Sequence, residues 1–200
     1  MRRRNRRHLA AKKVGPKGRV IGVDMTDEMV AKARENAVAA GLKNVEVRRG
    51  IIEELPVESS SVDLVISNCV INLSPEKKKV FKEIARVLKP GGEISISDIV
   101  AEELPAEIMA DPALYSSCLT GAISEKNYVQ GLRDAGLGNV EVRERLVYDQ
   151  GQLEGLIGSE VKEKAPSTCC GGRASKGLDK GWAKKLAGKV WSARIVARKA

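Results

Sequence analysis

The sequence predicts an α/β fold in which helices alternate with the strands of a doubly wound, mostly parallel sheet. Three observations support this prediction. Apolar runs at residues 19–24 and 62–67 are typical of buried strands, and a helical pattern follows each of them. The turn Pro90-Gly91-Gly92 then leads into a third apolar run at residues 93–99, so the order strand, helix, strand repeats along the chain.

The elements follow one another in a regular order. After the first strand, Thr26 or Asp27 caps a helix that ends at Gly41. The next predicted elements are a strand at 45–48, a loop at 53–61, a strand at 62–67, a helix from Pro75 to about Leu88, a strand at 93–99, a helix from Ser124 to about Ala135, and strands at 140–147 and 190–197. Residues 150–190 are rich in Gly, Lys and Ser, and we expect them to form a mobile insertion or cap. We therefore divide the chain into a domain at 1–148 and a C-terminal cap at 149–200.

The positive charge of the chain is concentrated at its two ends. The formal net charge is +9; residues 1–19 contain basic residues and no acid, and residues 173–199 contain one acid, Asp179. No aromatic residues interleave with the N-terminal charges, which favours a solvated end over a nucleic-acid-binding one. The sequence also shows no apolar run that could span a bilayer and no signal peptide, so we expect a soluble, cytoplasmic chain without a membrane partner.

Cysteine is the residue type most indicative of chemistry here. The four cysteines are Cys69, Cys118, Cys169 and Cys170, and His8 is the only histidine. The absence of a C-x-x-C pair argues against a structural zinc site, and thiols in the cytosol are expected to be reduced. Cys69 follows the strand at 62–67, at the sheet edge where open α/β folds bind ligands. The alternative interpretation is a small buried apolar residue.

Two acidic positions are candidates for nucleotide recognition. Asp24 ends a strand before a helix, where an acid can accept hydrogen bonds from ribose hydroxyls, although a helix cap is the alternative. In the loop after the next strand, Ile52 can stack on an adenine and Glu53 can accept a hydrogen bond from its amino group. A solvent-exposed acidic loop explains Ile52 and Glu53 equally well when that segment is taken alone.

Taken in order, five motifs resemble those of class I S-adenosylmethionine-dependent methyltransferases over about residues 9–148. They are V-I-G-V-D-M-T, G-x-I-E-E-L-P, D-L-V-I-S-N-C-V-I-N-L-S-P, R-V-L-K-P-G-G and S-D-I. The S-N-C-V-I-N-L-S-P segment, together with A-L-Y-S-S-C-L-T-G-A at 113–122, resembles the arsenite methyltransferases more specifically. The resemblance implies a Rossmann-like fold, S-adenosyl-L-methionine as cofactor, and methyl transfer to thiolate-bound trivalent arsenic in arsenic detoxification.

The resemblance also implies roles for particular residues. Cys69 and Cys118 match two arsenic ligands, and Cys169 and Cys170 match an adjacent cysteine pair with a less defined role in arsenic binding. The residues that match cofactor-binding positions are Asp24, Met25, Ile52, Glu53 and Asn68. Arsenic(III) is soft and prefers thiolates, and its lone pair attacks the sulfonium methyl, so the protein has to position it rather than supply a general base. The implied partners are arsenite or its thiol conjugates and a thiol reductant such as glutathione or thioredoxin.

The chain departs from the family pattern at its N-terminus. The family's first strand and its D-x-G-x-G-x loop precede a helix that resembles residues 9–15, so we expect a truncated start, a sheet without its first strand and weak cofactor binding. We also expect poor methylation of arsenite by this chain. Three other functions remain open: a methyltransferase for a quinone or sterol type of acceptor, a non-catalytic thiol remnant that binds metalloids, and a basic fragment associated with nucleic acid.

Overall fold

The computed structural model of the chain describes residues 6–109, 118–163 and 181–200. The chain divides into two compact units, Met1–Glu58 (unit 1) and Ser59–Ala200 (unit 2). Each unit combines helices with a sheet of its own, two-stranded in unit 1 and four-stranded in unit 2. The α/β class predicted from the alternation of strands and helices is therefore confirmed.

Unit 1 is built on one pair of parallel strands. Its elements are α1 (Arg6–Val14), β1 (Val20–Asp24), α2 (Asp27–Ala39) and β2 (Val45–Arg49). Strands β1 and β2 run parallel, with Asp24 opposite Arg49 at their carboxyl ends. The buried residues Val30 and Ala33 of α2 form a small apolar cluster with Val47 of β2. The apolar positions that indicated a helix packed on a strand thus meet in the interior of this unit.

The ends of α2 follow from local chemistry. Thr26 is the N-cap, and its Oγ1 accepts a hydrogen bond from the backbone N–H of Met29 at 3.4 Å. Beyond the other end, Gly41 has a φ of +66°, a left-handed conformation that a residue without a Cβ adopts at little cost. Both predicted helix boundaries are confirmed. They could be predicted from the sequence because each depends on residues only a few positions apart.

Unit 2 contains the four-stranded sheet, which is covered by helices. Its elements are β3 (Val62–Asn68), a short 3₁₀ helix (Ile71–Leu73), α3 (Lys77–Val87), β4 (Leu88–Ala101), α4 (Ala106–Met109), α5 (Glu125–Asp134), β5 (Leu137–Val147), α6 (Gln150–Glu163), α7 (Trp182–Leu186) and β6 (Val190–Lys199). The strand order is β3-β4-β6-β5; β3 and β4 are parallel, and β6 is antiparallel to both of its neighbours. The core lies along the two inner strands, where Ile96 of β4 and Ile195 of β6 are fully buried.

Two features differ from the expectations of the sequence, and a third, the place of the last strand in the sheet, was not predicted. Strand β4 begins at Leu88 and includes Pro90-Gly91-Gly92, which the sequence predicted as a turn before the strand. The pairing of β4 with β3 is irregular at this point. Residues 150–190 contain α6 and α7 in their described part, so this segment is partly helical. The last strand lies inside the sheet, between β4 and β5. The division into domains at 1–148 and 149–200 stays a prediction.

Among the described residues, the two sheets are hydrogen-bonded separately. Strand β1 pairs there with β2, and β3 pairs with β4, so each has one edge without a strand partner in that part of the chain. Two apolar side chains of β3, Leu64 and Ile66, are about half exposed. In the described residues, no helix combines the length and the apolar character needed to cross a membrane.

Helices α3 and α5 meet at a close contact that depends on a glycine. Phe81 of α3 packs against Tyr128 of α5, with their ring centroids 5.2 Å apart, and both side chains are buried. Gly131, one turn further along α5, faces the Phe81 ring so closely that an added Cβ would lie 2.6 Å from the ring edge. Because the Phe81 side chain is buried and also packs against Tyr128, the ring has little freedom to move away.

We expect Gly131→Ala to lower the free energy of unfolding by about 1–3 kcal/mol, because the added methyl group overpacks the contact with Phe81. The matched control is Gly155→Ala, since Gly155 lies on an exposed face of helix α6, where an added Cβ would have no neighbouring atom within 4 Å. That change should raise stability by about 0.5–1 kcal/mol through helix propensity. Urea unfolding of both variants measures the two effects, and equal stabilities would contradict the packing argument.

Candidate active site

Cys69 occupies a strained position at the carboxyl end of β3. It follows the last strand residue, Asn68, and its backbone N–H donates a hydrogen bond to the carbonyl of Ser97 on β4 at 3.0 Å. Its φ of 53° lies in the left-handed region, which residues other than glycine adopt infrequently. Such strain persists where the surrounding structure enforces it, and it is concentrated at functional sites.

Cys118 lies against Cys69, although the two are far apart in sequence. The Cys118 thiol donates a hydrogen bond to the backbone carbonyl of Cys69 with an S···O distance of 2.8 Å. Cys118 is 7% exposed and also has a left-handed φ, of 60°. Neither cysteine is in a disulfide. The structure thus brings together, beside the end of β3, the two cysteines that the sequence motifs single out.

Cys169 and Cys170 lie outside the described residues. Within the described ranges, no group of three or more His, Cys, Asp and Glu side chains has the arrangement of a metal site. The roles of all four cysteines as arsenic ligands stay predictions.

A buried polar network lies next to the cysteine pair, and its centre is Asp98 near the end of β4. The Asp98 side chain is fully buried and accepts hydrogen bonds from the Ile99 N–H at 3.0 Å, from the Tyr128 hydroxyl at 3.3 Å and from the backbone N–H of Asn72. Burial raises the pKa of Asp98 to about 6, and these hydrogen bonds and the charge of Lys77 oppose that shift. Tyr128 is also buried, and this burial, together with the charge of Asp98, raises the pKa of Tyr128 well above its ordinary value.

Asn72 connects this network to the Cys118 segment. Its side-chain amide donates hydrogen bonds to the carbonyls of Ile99 at 2.6 Å and Cys118 at 3.2 Å. The ammonium of Lys77 donates to the Asn72 carbonyl at 3.3 Å and to the Ser74 carbonyl at 2.9 Å. Partial burial lowers the pKa of Lys77, and the charges of Asp98 and Cys118 act in the opposite direction. Lys77 is therefore the cation that faces this cluster from α3.

Sequence reasoning did not identify Asn72, Lys77, Asp98 or Tyr128. A signal for burial was present for Asp98, because strand alternation places it on the same face as Ile94 and Ile96. Asn72 gave a weaker signal as a polar residue between two large aliphatic ones. Lys77 and Tyr128 lie on amphipathic helices, where neither residue type stands out.

The predicted cofactor residues are divided between the two units. In unit 1, Asp24 ends β1, and its Oδ1 accepts hydrogen bonds from the N–H of Thr26 at 3.2 Å and the Thr26 hydroxyl at 3.1 Å; neither bond uses Oδ2. Met25 is 67% exposed, and Ile52 and Glu53 are partly exposed in the loop after β2. Because Asp24 and Arg49 are in register, that loop begins at the same sheet edge as Asp24.

The remaining cofactor candidate belongs to unit 2. Asn68 is the last residue of β3 and is partly exposed. It precedes Cys69 directly, so a polar side chain and a thiol are adjacent at the end of this strand. The cofactor roles of all five residues stay predictions.

Comparison with known proteins identifies the family. A family model described as a methyltransferase domain matches residues 6–136. The chain belongs to the S-adenosylmethionine-dependent methyltransferase family. The family resemblance stated from the sequence motifs is therefore confirmed, and the α/β units are those of a methyltransferase.

Several relatives of this chain have names that refer to arsenic. An arsenite methyltransferase from Halobacterium salinarum is 49% identical over 135 residues, which are 67% of this chain and 34% of that protein. One from Aquipseudomonas alcaligenes is 41% identical over 151 residues, 72% of this chain and 42% of that protein. The crystal structure of an arsenic(III) S-adenosylmethionine methyltransferase from Chlamydomonas reinhardtii has a TM-score of 0.68 and 32% identity, and the match covers 95% of this chain and 57% of that one. The chain spans about a third to two fifths of the length of the two curated relatives.

The residues of unit 1 fit the adenosine half of the family's cofactor. Asp24 offers a carboxylate at a strand end, where ribose hydroxyls can donate to it. Apolar surface from Met25 and Ile52 suits an adenine ring, and Glu53 supplies a carboxylate for its amino group. The donor set is therefore chemically appropriate for S-adenosylmethionine.

The raised pKa of Asp98 predicts a distinctive dependence of stability on pH. The folded-state pKa of about 6 exceeds the ordinary value of 3.8, so the folded protein binds this proton more tightly than the unfolded chain does. This contribution to stability is complete below pH 3.8 and is lost as the pH rises through about 6, with a total change of about 3 kcal/mol.

We therefore expect the wild type to lose up to about 3 kcal/mol of stability relative to Asp98→Asn between pH 4 and pH 7, because the substituted amide does not titrate. Urea unfolding of both proteins at the two pH values measures this change. The exposed Asp63→Asn variant, which removes a surface carboxylate beside Lys89, controls for the loss of a negative charge. Parallel stability curves for wild type and Asp98→Asn would contradict the assignment.

Proposed function

We propose that the reaction this chain serves is transfer of the methyl group of S-adenosylmethionine to trivalent arsenic, presented as arsenite or a thiol conjugate of arsenite, and that residues 1–200 alone perform it poorly. The observation that carries the proposal is the contact between the Cys118 thiol and the Cys69 carbonyl, which are 2.8 Å apart although the residues are 49 positions apart in sequence. The relatives named as arsenite methyltransferases support it independently. We assign the activity to the cytoplasm, where thiols stay reduced.

The chemistry of arsenic explains why two cysteines are needed together. Arsenic(III) is a soft centre that binds thiolates in preference to oxygen or nitrogen ligands. Two thiols on one rigid scaffold bind it as a chelate, so the second As–S bond forms at a high effective concentration. The enforced backbone conformations of Cys69 and Cys118 hold the residues in place before arsenic arrives.

A third sulfur would complete a pyramidal arsenic site. The described residues provide two thiols, so the third comes from another part of the chain in this proposal. Cys169 and Cys170 are the candidates because they are the remaining cysteines of the sequence. A thiol reductant such as glutathione or thioredoxin acts as a partner that keeps these groups reduced.

The protein residues act by binding and orientation in this proposal. S-adenosylmethionine supplies an electrophilic methyl group when it is bound. Asp24, Ile52 and Glu53 hold its adenosine part, while the cysteine pair holds arsenic with its lone pair unshared. Because that lone pair is the nucleophile, the chain needs no general base, and the accuracy of positioning governs the rate. A quinone or sterol acceptor would leave the paired cysteines without a function.

We expect Cys69→Ser and Cys118→Ser each to weaken arsenite binding by about 100-fold, because the chelate loses one of its As–S bonds. Equilibrium dialysis of the reduced chain with arsenite measures this effect. The Cys169→Ser/Cys170→Ser double variant is the matched comparison and reports whether a third sulfur contributes. Affinities unchanged by either single substitution, or methyl transfer to a quinone or sterol but not to arsenite, would overturn the assignment.

We expect Asp24→Asn to weaken binding of S-adenosylmethionine by about 10-fold or more, because hydrogen bonds to a charged group contribute about 1.5–3 kcal/mol. Isothermal titration with the cofactor measures the change. Asp63→Asn, an exposed acid of unit 2, is the control and should bind as the wild type does. Equal affinities for Asp24→Asn and wild type would show that the ribose is held elsewhere.

A further inference from the structure

We propose that Asn72 is the positioning residue that sets the spacing of the Cys69 and Cys118 thiols for bridging a single trivalent arsenic atom. This inference rests on the proposed function and adds a residue that touches neither the substrate nor the cofactor in the proposal. Asn72 acts through hydrogen bonds to the backbone of the Cys118 segment, while it belongs to the segment that follows Cys69.

The side-chain amide of Asn72 joins two segments that are remote in sequence. Asn72 lies three residues after Cys69, in the 3₁₀ helix Ile71–Leu73. One amide nitrogen donates to the Ile99 carbonyl at the end of β4, and also to the Cys118 carbonyl. An asparagine has two N–H donors on that nitrogen, so both bonds can form together. An aspartate or a leucine of similar size offers no such pair of donors.

Asn72 is itself held from several sides. Its backbone N–H donates to Asp98, and its carbonyl accepts from the ammonium of Lys77. Gly121 lies against the same carbonyl so closely that a Cβ there would be 1.9 Å from the oxygen. The position of the amide is therefore determined by contacts from β4, α3 and the segment after Cys118.

The unsatisfied atom of this side chain indicates why an asparagine is present. Asn72 is 2% exposed, and its buried Oδ1 has no hydrogen-bond partner among the residues that the structure describes. Leaving a buried acceptor unsatisfied costs about 1–3 kcal/mol, so burial alone would favour an apolar residue. The two bonds from Nδ2 are the feature that an apolar residue cannot supply, and one of them holds the Cys118 backbone. Outer contacts of this kind typically change metal affinity by about 10–100-fold when they are lost.

Phenylarsine oxide is a suitable probe because it needs two thiols at the correct spacing. Its arsenic condenses with both, forming two As–S bonds, and its oxygen leaves as water with the two thiol protons; no atom is oxidised or reduced. The background is the full chain with Cys169→Ser and Cys170→Ser, in which Cys69 and Cys118 are the remaining cysteines. Competition with a small dithiol measures the affinity, and alkylation by iodoacetamide measures the reactivity of each single thiol.

In that background, we expect Asn72→Leu to weaken phenylarsine oxide binding by about 10–100-fold, while the alkylation rate of each thiol changes less than about twofold. Asn44→Leu is the matched control: Asn44 also uses its side-chain amide to bind carbonyls, those of Ala11, Gly15 and Gly18, but it lies in unit 1. It should bind the arsenical as the background does.

The outcomes separate this inference from the proposed function. If the background protein does not bind the arsenical through two thiols, the proposed function fails. If it binds and a folded Asn72→Leu protein binds equally well, the positioning role is wrong while the proposed function stands. If Asn72→Leu loses both phenylarsine oxide binding and the alkylation of each single thiol, the positioning role is also wrong, because the substitution has then disrupted the site as a whole. Should Asn72→Leu not fold, as judged by circular dichroism, Asn72→Ser removes the same two bonds with a smaller change in packing and is subject to the same criteria.

Discussion

The buried carboxylate of Asp98 is the group on which the polar side of unit 2 depends. It lies near the end of β4, the inner strand that pairs with both β3 and β6. Three donors converge on it, from its own strand, from helix α5 and from the 3₁₀ helix after Cys69. A carboxylate placed in an apolar interior without such donors would be strongly unfavourable. The donors are therefore arranged around Asp98, and the segments that carry them are fixed in consequence.

Burial still outweighs the donors in the balance of forces at this site. The pKa of Asp98 is raised to about 6 even though three hydrogen bonds and Lys77 favour the charged form. This is typical of sites where function rather than stability selects the residue, since an apolar side chain would avoid the desolvation cost. The same reasoning applies to Asn72, whose buried Oδ1 has no partner within the described part of the chain. Asn72 binds the Cys118 carbonyl, and Asp98 accepts a hydrogen bond from the Asn72 backbone, so the two polar groups are connected to the cysteine pair through Asn72.

Two left-handed cysteines at one site are consistent with a rigid thiol pair. A left-handed conformation costs a residue with a Cβ roughly 1–2 kcal/mol, and both Cys69 and Cys118 adopt it. Strain of this kind is maintained by surrounding contacts, here the Ser97 carbonyl for Cys69 and the Asn72 amide for Cys118. A soft arsenic atom gains most from thiols that are already in position, because binding then requires little ordering of the chain.

The sequence by itself determined the features that depend on neighbouring residues. The cap at Thr26, the end of α2 near Gly41 and the alternation from β1 to β4 all follow from side-chain chemistry and periodicity within a few positions. The family motifs around Cys69 and Cys118 also identified the cysteines of interest.

Only the tertiary structure decided that β6 lies between β4 and β5, because strand pairing over such distances is not encoded in local periodicity. The candidate site shows the same division, since the 2.8 Å contact between Cys118 and Cys69 joins residues 49 positions apart. The roles of Asp98 and Asn72 were equally inaccessible, because a polar residue in an apolar run acquires its partners only when distant segments pack around it. Local chemistry determined which groups the chain carries, and long-range packing decided which of them meet.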